Sequence, residues 1–193
     1  YLIMEFVSGR TLGEIIREQG AMSTDLVLDV SLRVLDGLHY LHTLPRPVIH
    51  RDIKPDNIIF VGADQVKLID FGIAKVSGYC RLTTADAKIG TYEFMSPEQV
   101  SADRELGPAS DQYSYGVTMF YMLSGRKPFE QVSDSAVEVM YGHLEKEPQN
   151  LHEINPSIPQ FLVDAVMRSL AKKPEDRFAS CFELCKFLKN RHD

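Results

Sequence analysis

The sequence predicts an α+β fold that is mainly α-helical and contains one central β-hairpin. A long stretch, 23–42, carries apolar residues at helical spacing, and several further helical patterns follow in the second half. Two short apolar runs, 58–60 and 66–69, flank a turn-forming segment and predict the hairpin. No repeat, linker or shift in composition divides the chain into separate domains.

The elements of the first half are marked by residues that start or stop regular structure. Residues 1–7 form a β-like run that ends at turn formers. A helix is predicted over 11–19, where Gly20 stops it. The long helix over 23–42 is followed by prolines that end it, and its candidate N-caps are Ser23, Thr24 and Asp25.

The second half is predicted to be helical after an irregular stretch. Residues 70–98 show little periodicity. Ser110 is expected to cap a buried helix that runs to Leu123, and Gly125 to end it. Three more helices are predicted near 134–146, 159–171 and 179–190.

The amino-acid composition indicates a globular domain and argues against some classes of binding partner. The 193 residues are 44% hydrophobic and 25% charged, which is typical of a globular domain with its own core. Lys and Arg number 21 against 27 Asp and Glu, a formal net charge of −6. This acidic balance argues against nucleic acid or an anionic membrane as the main partner. The longest apolar run, 117–123, is far shorter than the roughly 18 residues of a membrane span.

Cysteines and histidines give weaker signals. The three cysteines form no CxxC pair, which predicts a reducing compartment with no disulfide framework and no zinc site. Cys181 and Cys185 share a helix face and are expected in the core, whereas Cys80 is expected to be an ordinary thiol rather than a redox sensor. His39 and His42 could suggest a metal pair. The sequence offers them no carboxylate partner, so packing at the helix end is the favoured interpretation.

Polar residues flank the predicted hairpin on both sides. The segment 50–57 precedes its first strand and 70–72 follows its second. Because a hairpin brings its two ends together, Asn57 and Asp70 should lie side by side. An amide oxygen and a carboxylate can hold Mg²⁺, which takes one or two protein oxygens together with phosphates and water.

Two further residues of segment 50–57 fit proton and phosphate chemistry. Asp52 lies five positions before Asn57, on a loop that Pro55 keeps from being helical. It can therefore point at a hydroxyl beside the metal and accept its proton. Lys54 can place a positive charge on a phosphoryl group in transfer.

These motifs resemble those of the eukaryotic-type protein kinase family. HRDIKPDN at 50–57 and DFG at 70–72 resemble its catalytic loop and metal-binding triplet. SPE at 96–98 stands where the family has Ala-Pro-Glu, DQYSYG at 111–116 resembles its D-x-W-S-x-G helix, and Arg177 resembles the arginine that pairs with the Ala-Pro-Glu glutamate. Five elements in this order over residues 1–190 make the resemblance to the family specific. The residues in these motifs resemble those of bacterial-type serine/threonine kinases.

The resemblance implies a fold, an activity and catalytic roles. The chain would be the C-terminal large lobe of a kinase, with a hinge strand and the central hairpin. It would transfer the γ-phosphoryl group of ATP to Ser or Thr hydroxyls of proteins, with Mg²⁺ or Mn²⁺ as cofactor. Asp52 would be the catalytic base and Lys54 would steady the γ-phosphate. The metal ligands would be Asn57 and Asp70.

The resemblance also implies an adenine site and supporting contacts. Residues 1–7 would run from the last strand of the small lobe into the hinge, with Met4 as gatekeeper. The remaining adenine-contacting positions would be Glu5, Val7, Leu12 and Ile59. The supporting contacts would be His50 stacked on Phe71, Glu98 paired with Arg177, and Asp111 anchoring the catalytic loop.

Regulation and substrate choice follow from the same resemblance. Arg51 would bind a phosphate group on the activation segment. The best candidate phosphosites there are Thr83 and Thr84, with Ser77 a weaker candidate. Asp56 could read a basic residue in the substrate. However, Thr11 and Tyr121 stand where kinases that select basic substrates carry carboxylates, so an arginine-directed substrate is not expected.

Several parts of a kinase are missing from the sequence. The chain has no G-x-G and no Lys before Lys54, whereas a kinase needs a Gly-rich loop and a strand lysine on the phosphates. Residues 1–193 are therefore interpreted as the hinge and large lobe, without the small lobe and inactive alone. The resemblance implies a cytoplasmic domain, in some relatives followed by a membrane span outside this segment. The alternatives are a non-catalytic pseudokinase or scaffold and, less favoured, a small-molecule phosphotransferase.

Overall fold

The computed structural model describes residues 5–62, 65–71, 92–103, 106–129 and 135–190. In this part of the chain helices predominate, and three short strands from the first 68 residues form a small antiparallel sheet. The strands are β1 (Arg10–Thr11), β2 (Ile58–Val61) and β3 (Gln65–Leu68). The helices are α1 (Leu12–Gln19), α2 (Thr24–His42), α3 (Pro97–Val100), α4 (Pro108–Ser124), α5 (Ala136–Glu145), α6 (Leu151–Ile154), α7 (Gln160–Ser169) and α8 (Cys181–Lys189).

The first two helices begin within one residue of their predicted starts, and Ser23 is one of the three predicted cap candidates. Thr11 accepts a hydrogen bond from the Glu14 amide, and the Glu14 side chain accepts one from the Thr11 amide, so α1 starts with a capping box. Ser23 caps α2 by accepting from the Leu26 amide. Gly20, at φ 76°, ends α1. The three helices predicted near 134–146, 159–171 and 179–190 are α5, α7 and α8.

The sheet contains the predicted hairpin and a shorter first strand than expected. β2 and β3 pair antiparallel, with Ile58 opposite Leu68. β1 pairs with the other edge of β2. The prediction of a strand over 1–7 is wrong for residues 5–7, and residues 1–4 lie outside the described ranges. The chain reaches the sheet only after Gly9, where an added Cβ would stand 2.0 Å from the Phe60 carbonyl oxygen, so only glycine permits this approach.

The start of α4 and two short helices also differ from the prediction. α4 begins at Pro108 with Gly107 as its cap, and Ser110 lies inside the first turn. A proline at the first helical position is pre-organised for the helix, which accounts for the earlier start. The Ser110 hydroxyl instead hydrogen-bonds that of Ser96 at 2.7 Å. α3 and α6 have four residues each, too few to show a helical period in the sequence.

The core lies between the helices that follow the sheet. α4 is buried along most of its length, and α2 and α7 pack against it. α8 packs in turn against α2 and α7. Cys181 and Cys185 lie in this core as predicted. None of the helices in the described ranges combines the length and apolarity that a bilayer crossing requires. The loop from α2 to β2 lies over the first turn of α4, which positions the candidate site.

Candidate active site

The loop between α2 and β2 is anchored by the Asp111 carboxylate in the first turn of α4. Asp111 is 1% exposed. Its Oδ2 accepts a hydrogen bond from the His50 amide and its Oδ1 one from the Arg51 amide, both at 2.8 Å. Two charge-assisted bonds from consecutive amides fix the backbone directly before Asp52.

The same carboxylate has a third partner that the sequence did not reveal. His42 Nε2 lies 2.9 Å from Asp111 Oδ2, and the His42 side chain is only 5% exposed. The expectation that no carboxylate partners His39 or His42 is therefore wrong for His42. His39 packs against the Phe182 ring at the helix end, as predicted. Asp111 lies 69 residues away from His42 in the sequence, so no local pattern links the two.

Asp52, Lys54 and Asn57 form a compact polar cluster. Lys54 Nζ lies 2.9 Å from Asp52 Oδ2. The Asn57 amide nitrogen donates to the Asp52 carbonyl oxygen at 2.8 Å and to Asp52 Oδ2 at 3.0 Å. A 3-10 turn at Pro55–Asn57 positions Asn57 in this cluster. The turn is closed by a hydrogen bond from the backbone N–H of Asn57 to the Lys54 carbonyl oxygen. The Asp52 side chain remains 17% exposed, so a substrate can reach it.

Asn57 and Asp70 meet at the same end of the hairpin. The Ile69 amide donates to the Asn57 carbonyl oxygen at 3.0 Å, which places the residue before Asp70 against Asn57. Asp70 is exposed and adopts φ 55°, a left-handed conformation that aspartate tolerates better than most residues. Because the Asn57 amide nitrogen faces Asp52, its oxygen remains as the acceptor for a cation. One amide oxygen and one carboxylate fit Mg²⁺, which completes its coordination with water and phosphate.

His50 is buried between the loop and the residue that follows Asp70. Its ring lies 4.7 Å from the Phe71 ring, centroid to centroid, and its Nε2 donates to the Ile69 carbonyl oxygen at 3.1 Å. Burial lowers the pKa of His50, with smaller opposing effects from Asp111 and Asp52. The ring therefore works as a packing element that holds Phe71 next to the candidate metal ligands.

Arg51 has an unusual backbone conformation that a residue outside the predicted set supports. Its φ is 66°, which is rare for a residue with a side chain. The Gln99 amide nitrogen donates to the Arg51 carbonyl oxygen at 2.7 Å. Gln99 was not among the predicted site residues, although the spacing of Ser96 and Gln99 in the sequence is that of a capping box.

Glu98 and Arg177 form a bidentate ion pair behind the loop. Arg177 Nη1 and Nη2 lie 2.8 and 3.0 Å from the two Glu98 oxygens. The Arg177 side chain is fully buried and also donates to three backbone carbonyls, those of Ala109, Ala171 and Lys172. The predicted pair is thus present, and it joins α3 to the segment before α8.

The predicted adenine-contacting positions are only partly described. Leu12 is fully buried and Ile59 is 7% exposed. The two lie close together, because Thr11 pairs with Ile59 between β1 and β2. Glu5 is exposed and its side chain bonds Lys67 at 2.8 Å, a contact that lowers the Glu5 pKa. Val7 is half-buried, whereas Met4 lies outside the described residues.

The remaining candidates differ in how the structure places them. Asp56 is engaged by Arg17, whose Nη2 lies 2.9 Å from Asp56 Oδ1. The candidate phosphosites and the third cysteine lie outside the described residues: Ser77, Thr83, Thr84 and Cys80.

Comparisons with known proteins show which proteins this chain is similar to. A model of the protein kinase domain matches residues 1–187. A probable serine/threonine-protein kinase of Clostridium acetobutylicum is 32% identical over 190 residues, covering 98% of this chain and 28% of that protein. One of Streptomyces coelicolor is 36% identical over 186 residues, covering 95% and 27%. The serine/threonine-protein kinase PknB of Mycobacterium leprae is 34% identical over 185 residues, covering 95% and 29%. The chain spans less than a third of the length of these relatives.

Proposed function

This chain belongs to the protein kinase family, and from that premise we propose that it forms the hinge and large lobe of a serine/threonine protein kinase. The kinase resemblance and the mainly helical fold with its central hairpin are confirmed. The observation that carries the proposed activity is the cluster of Asp52, Lys54 and Asn57 beside Asp70. A carboxylate, an ammonium group and two oxygen ligands fit the transfer of a phosphoryl group.

In the proposed reaction Asp52 acts on the hydroxyl of a substrate Ser or Thr. Asp52 accepts the hydroxyl proton as the oxygen bonds to the γ-phosphorus of ATP. The bond between that phosphorus and the bridging oxygen of the β-phosphate breaks, and ADP leaves. The hydrogen bond from Asn57 and the contact with Lys54 hold the Asp52 carboxylate in one orientation before substrate arrives. Such a base contributes about 10²–10⁴-fold to the rate.

Asn57 and Asp70 are the proposed ligands of Mg²⁺. The metal would neutralise charge on the phosphates when bound. Asn57 is fixed by its two bonds to Asp52, and the pairing of β2 with β3 brings Asp70 to the same place. Lys54 would add positive charge at the transferred group.

The rest of the nucleotide site is proposed to be shared with residues that precede this chain. Leu12 and Ile59 would form the apolar floor under adenine, while Met4, Glu5 and Val7 would line the hinge. A Gly-rich loop and a phosphate-binding lysine would come from a small lobe in a longer protein. We also propose that Arg51 binds a phosphate on Thr83 or Thr84, that the substrates are proteins, and that the domain works in the cytoplasm.

The test is phosphate transfer by the longer protein that contains this chain. With labelled Mg·ATP, label should appear on Ser or Thr of protein, and Asp52→Asn should lower the rate at least about 10²-fold. Asp29→Asn is the matched control, because Asp29 is an exposed carboxylate on α2 paired only with Arg33 in the described contacts. No label from folded, Mg-supplied wild type, even with a phosphorylated activation segment, would overturn the proposal and favour a non-catalytic scaffold.

A further inference from the structure

The peptide plane that leads into Asp52 is held from two sides. The Arg51 amide donates to Asp111 Oδ1 at 2.8 Å, and the Arg51 carbonyl oxygen accepts from the Gln99 amide nitrogen at 2.7 Å. The carbonyl of Arg51 and the amide of Asp52 belong to one planar peptide group. A bond that fixes the carbonyl therefore fixes the direction from which the chain enters Asp52.

The left-handed conformation of Arg51 makes the hydrogen bond from Gln99 to the Arg51 carbonyl oxygen more important. A residue with a side chain at φ 66° is in a disfavoured conformation, which persists only where neighbouring groups hold it. Asp111 holds the nitrogen side of Arg51, and Gln99 holds the carbonyl side. Without Gln99, the peptide between Arg51 and Asp52 would lose the contact that selects its orientation.

Gln99 is itself fixed by the ends of two helices. Its side-chain oxygen accepts from the Ser96 amide at 3.0 Å, and its backbone amide donates to the Ser96 hydroxyl. The Ser96 hydroxyl bonds the Ser110 hydroxyl at 2.7 Å, and Ser110 precedes Asp111 in α4. The contacts therefore form a closed ring from Arg51 through Gln99, Ser96 and Ser110 to Asp111 and back. Only one orientation of the Gln99 amide satisfies both of its side-chain bonds.

We propose that Gln99 is a positioning residue, which orients the catalytic base Asp52 through the Arg51 carbonyl. The inference rests on the proposed function, since it assumes that Asp52 is the base. It also gives the start of α3 a role in catalysis.

The two hydrogen-bonding roles of Gln99 can be separated by substitution. Gln99→Glu keeps the acceptor for the Ser96 amide but loses the donor to Arg51. Gln99→Lys keeps a donor and loses the acceptor. Gln99→Met loses both without adding charge. Gln65→Glu is the matched control, because Gln65 is exposed at the start of β3.

The experiment measures kcat, the KM for ATP and the urea unfolding midpoint in the longer, kinase-competent protein. If Gln99 positions the base, Gln99→Glu and Gln99→Met should lower kcat about 10-fold or more, because small misplacements of reacting groups are costly, with KM changed less than twofold. Gln99→Lys should retain more of kcat than Gln99→Glu, because it keeps a donor for the Arg51 carbonyl. The order of stability should differ, because Gln99→Glu retains the helix cap and should be at least as stable as Gln99→Lys.

Two results would overturn the inference. One is a kcat within twofold of wild type for all three Gln99 variants, as for Gln65→Glu. The other is a loss of kcat that follows the unfolding midpoint alone, which would mean a purely structural role. If the wild type transfers no phosphate, the proposed function fails and this inference fails with it. If the wild type is active and either of the two results above is found, only this inference fails.

Discussion

His42 Nε2 lies 2.9 Å from Asp111 Oδ2, and this buried contact ties the last turn of α2 to the first turn of α4. The carboxylate holds the His50 and Arg51 amides at the same time. Because an ionised carboxylate only accepts, the His42 ring must donate through Nε2. The end of α2 and the loop that carries Asp52 thus share one anchor.

His42→Phe should destabilise the fold by leaving Asp111 with fewer donors. Loss of one partner of a buried charged group costs about 1–3 kcal/mol. The measurement is the free energy of unfolding of the chain from urea denaturation. His39→Phe is the control, since His39 only packs against Phe182 in the described contacts. Equal stability of the two variants would show that the His42 contact contributes nothing.

Removing one partner of the Glu98–Arg177 pair should have a larger effect. Arg177→Met leaves a nearly buried carboxylate unpaired, and Glu98→Gln removes the charge that Arg177 faces. A buried pair broken from one side typically costs about 3–5 kcal/mol.

A double-mutant cycle checks this pair against an exposed one. Glu98→Gln combined with Arg177→Met should cost clearly less than the sum of the single changes. The exposed pair of Asp29 and Arg33 should show a coupling of about 0.5 kcal/mol or less. Additive effects at Glu98 and Arg177 would contradict the bidentate contact.

His143 should make the fold sensitive to mild acid. Burial lowers the pKa of His143 to about 3, with a further lowering by Lys172. Its ring contacts the Tyr113 hydroxyl at Nδ1 and the Glu93 carbonyl oxygen at Nε2. Between pH 6.5 and 3 the unfolded chain binds a proton here that the native state does not, so stability falls as pH falls.

From pH 7 to pH 5 this single group should remove about 2 kcal/mol from the free energy of unfolding. The comparison is between wild type and His143→Phe, each measured by urea denaturation at both pH values. The substitution should abolish that part of the pH dependence, and His39→Phe should leave it in place. Parallel curves for wild type and His143→Phe would rule out a role for His143 in the acid response.

Gly9→Ala should disturb the sheet under the proposed adenine site. The added Cβ would meet the backbone oxygen of Phe60 at 2.0 Å, so β1 must move away from β2. Because Thr11 and Ile59 are partners across these strands, the floor formed by Leu12 and Ile59 should open.

The measurement for Gly9→Ala is ATP binding by calorimetry in the longer protein, where the affinity should fall. Gly37→Ala is the control, because its Cβ would meet only the Leu68 side chain, at 3.9 Å. In the middle of α2 that change should be neutral or stabilise by about 0.5–1 kcal/mol. Unchanged ATP affinity in Gly9→Ala would separate this sheet from the nucleotide site.

Local signals in the sequence predicted much of the fold. Thr11 and Ser23 start α1 and α2 as their side chains indicate, and the runs at 58–60 and 66–69 form the hairpin. The strand expected over 5–7 is absent there, because an apolar run forms a strand only where it finds a pairing edge. β1 finds that edge only beyond Gly9.

Contacts between distant residues could not be predicted from local patterns. Asn57 was expected beside Asp70 because one hairpin joins them. The Gln99 contact with Arg51 and the His42 contact with Asp111 span 48 and 69 residues, and the partners do not share one helix or one hairpin whose geometry would bring them together. These contacts depend on how α3 and α4 pack against the loop.

The ion pair of Glu98 with Arg177 also sets an order of events during synthesis. The two residues are 79 positions apart. At roughly 5–20 residues per second, a ribosome needs about 4–16 s to travel from one to the other. For that interval Glu98 exists without its guanidinium partner, and α3 lacks its anchor. The ion pair that joins α3 to the segment before α8 can therefore form only after Arg177 has been translated.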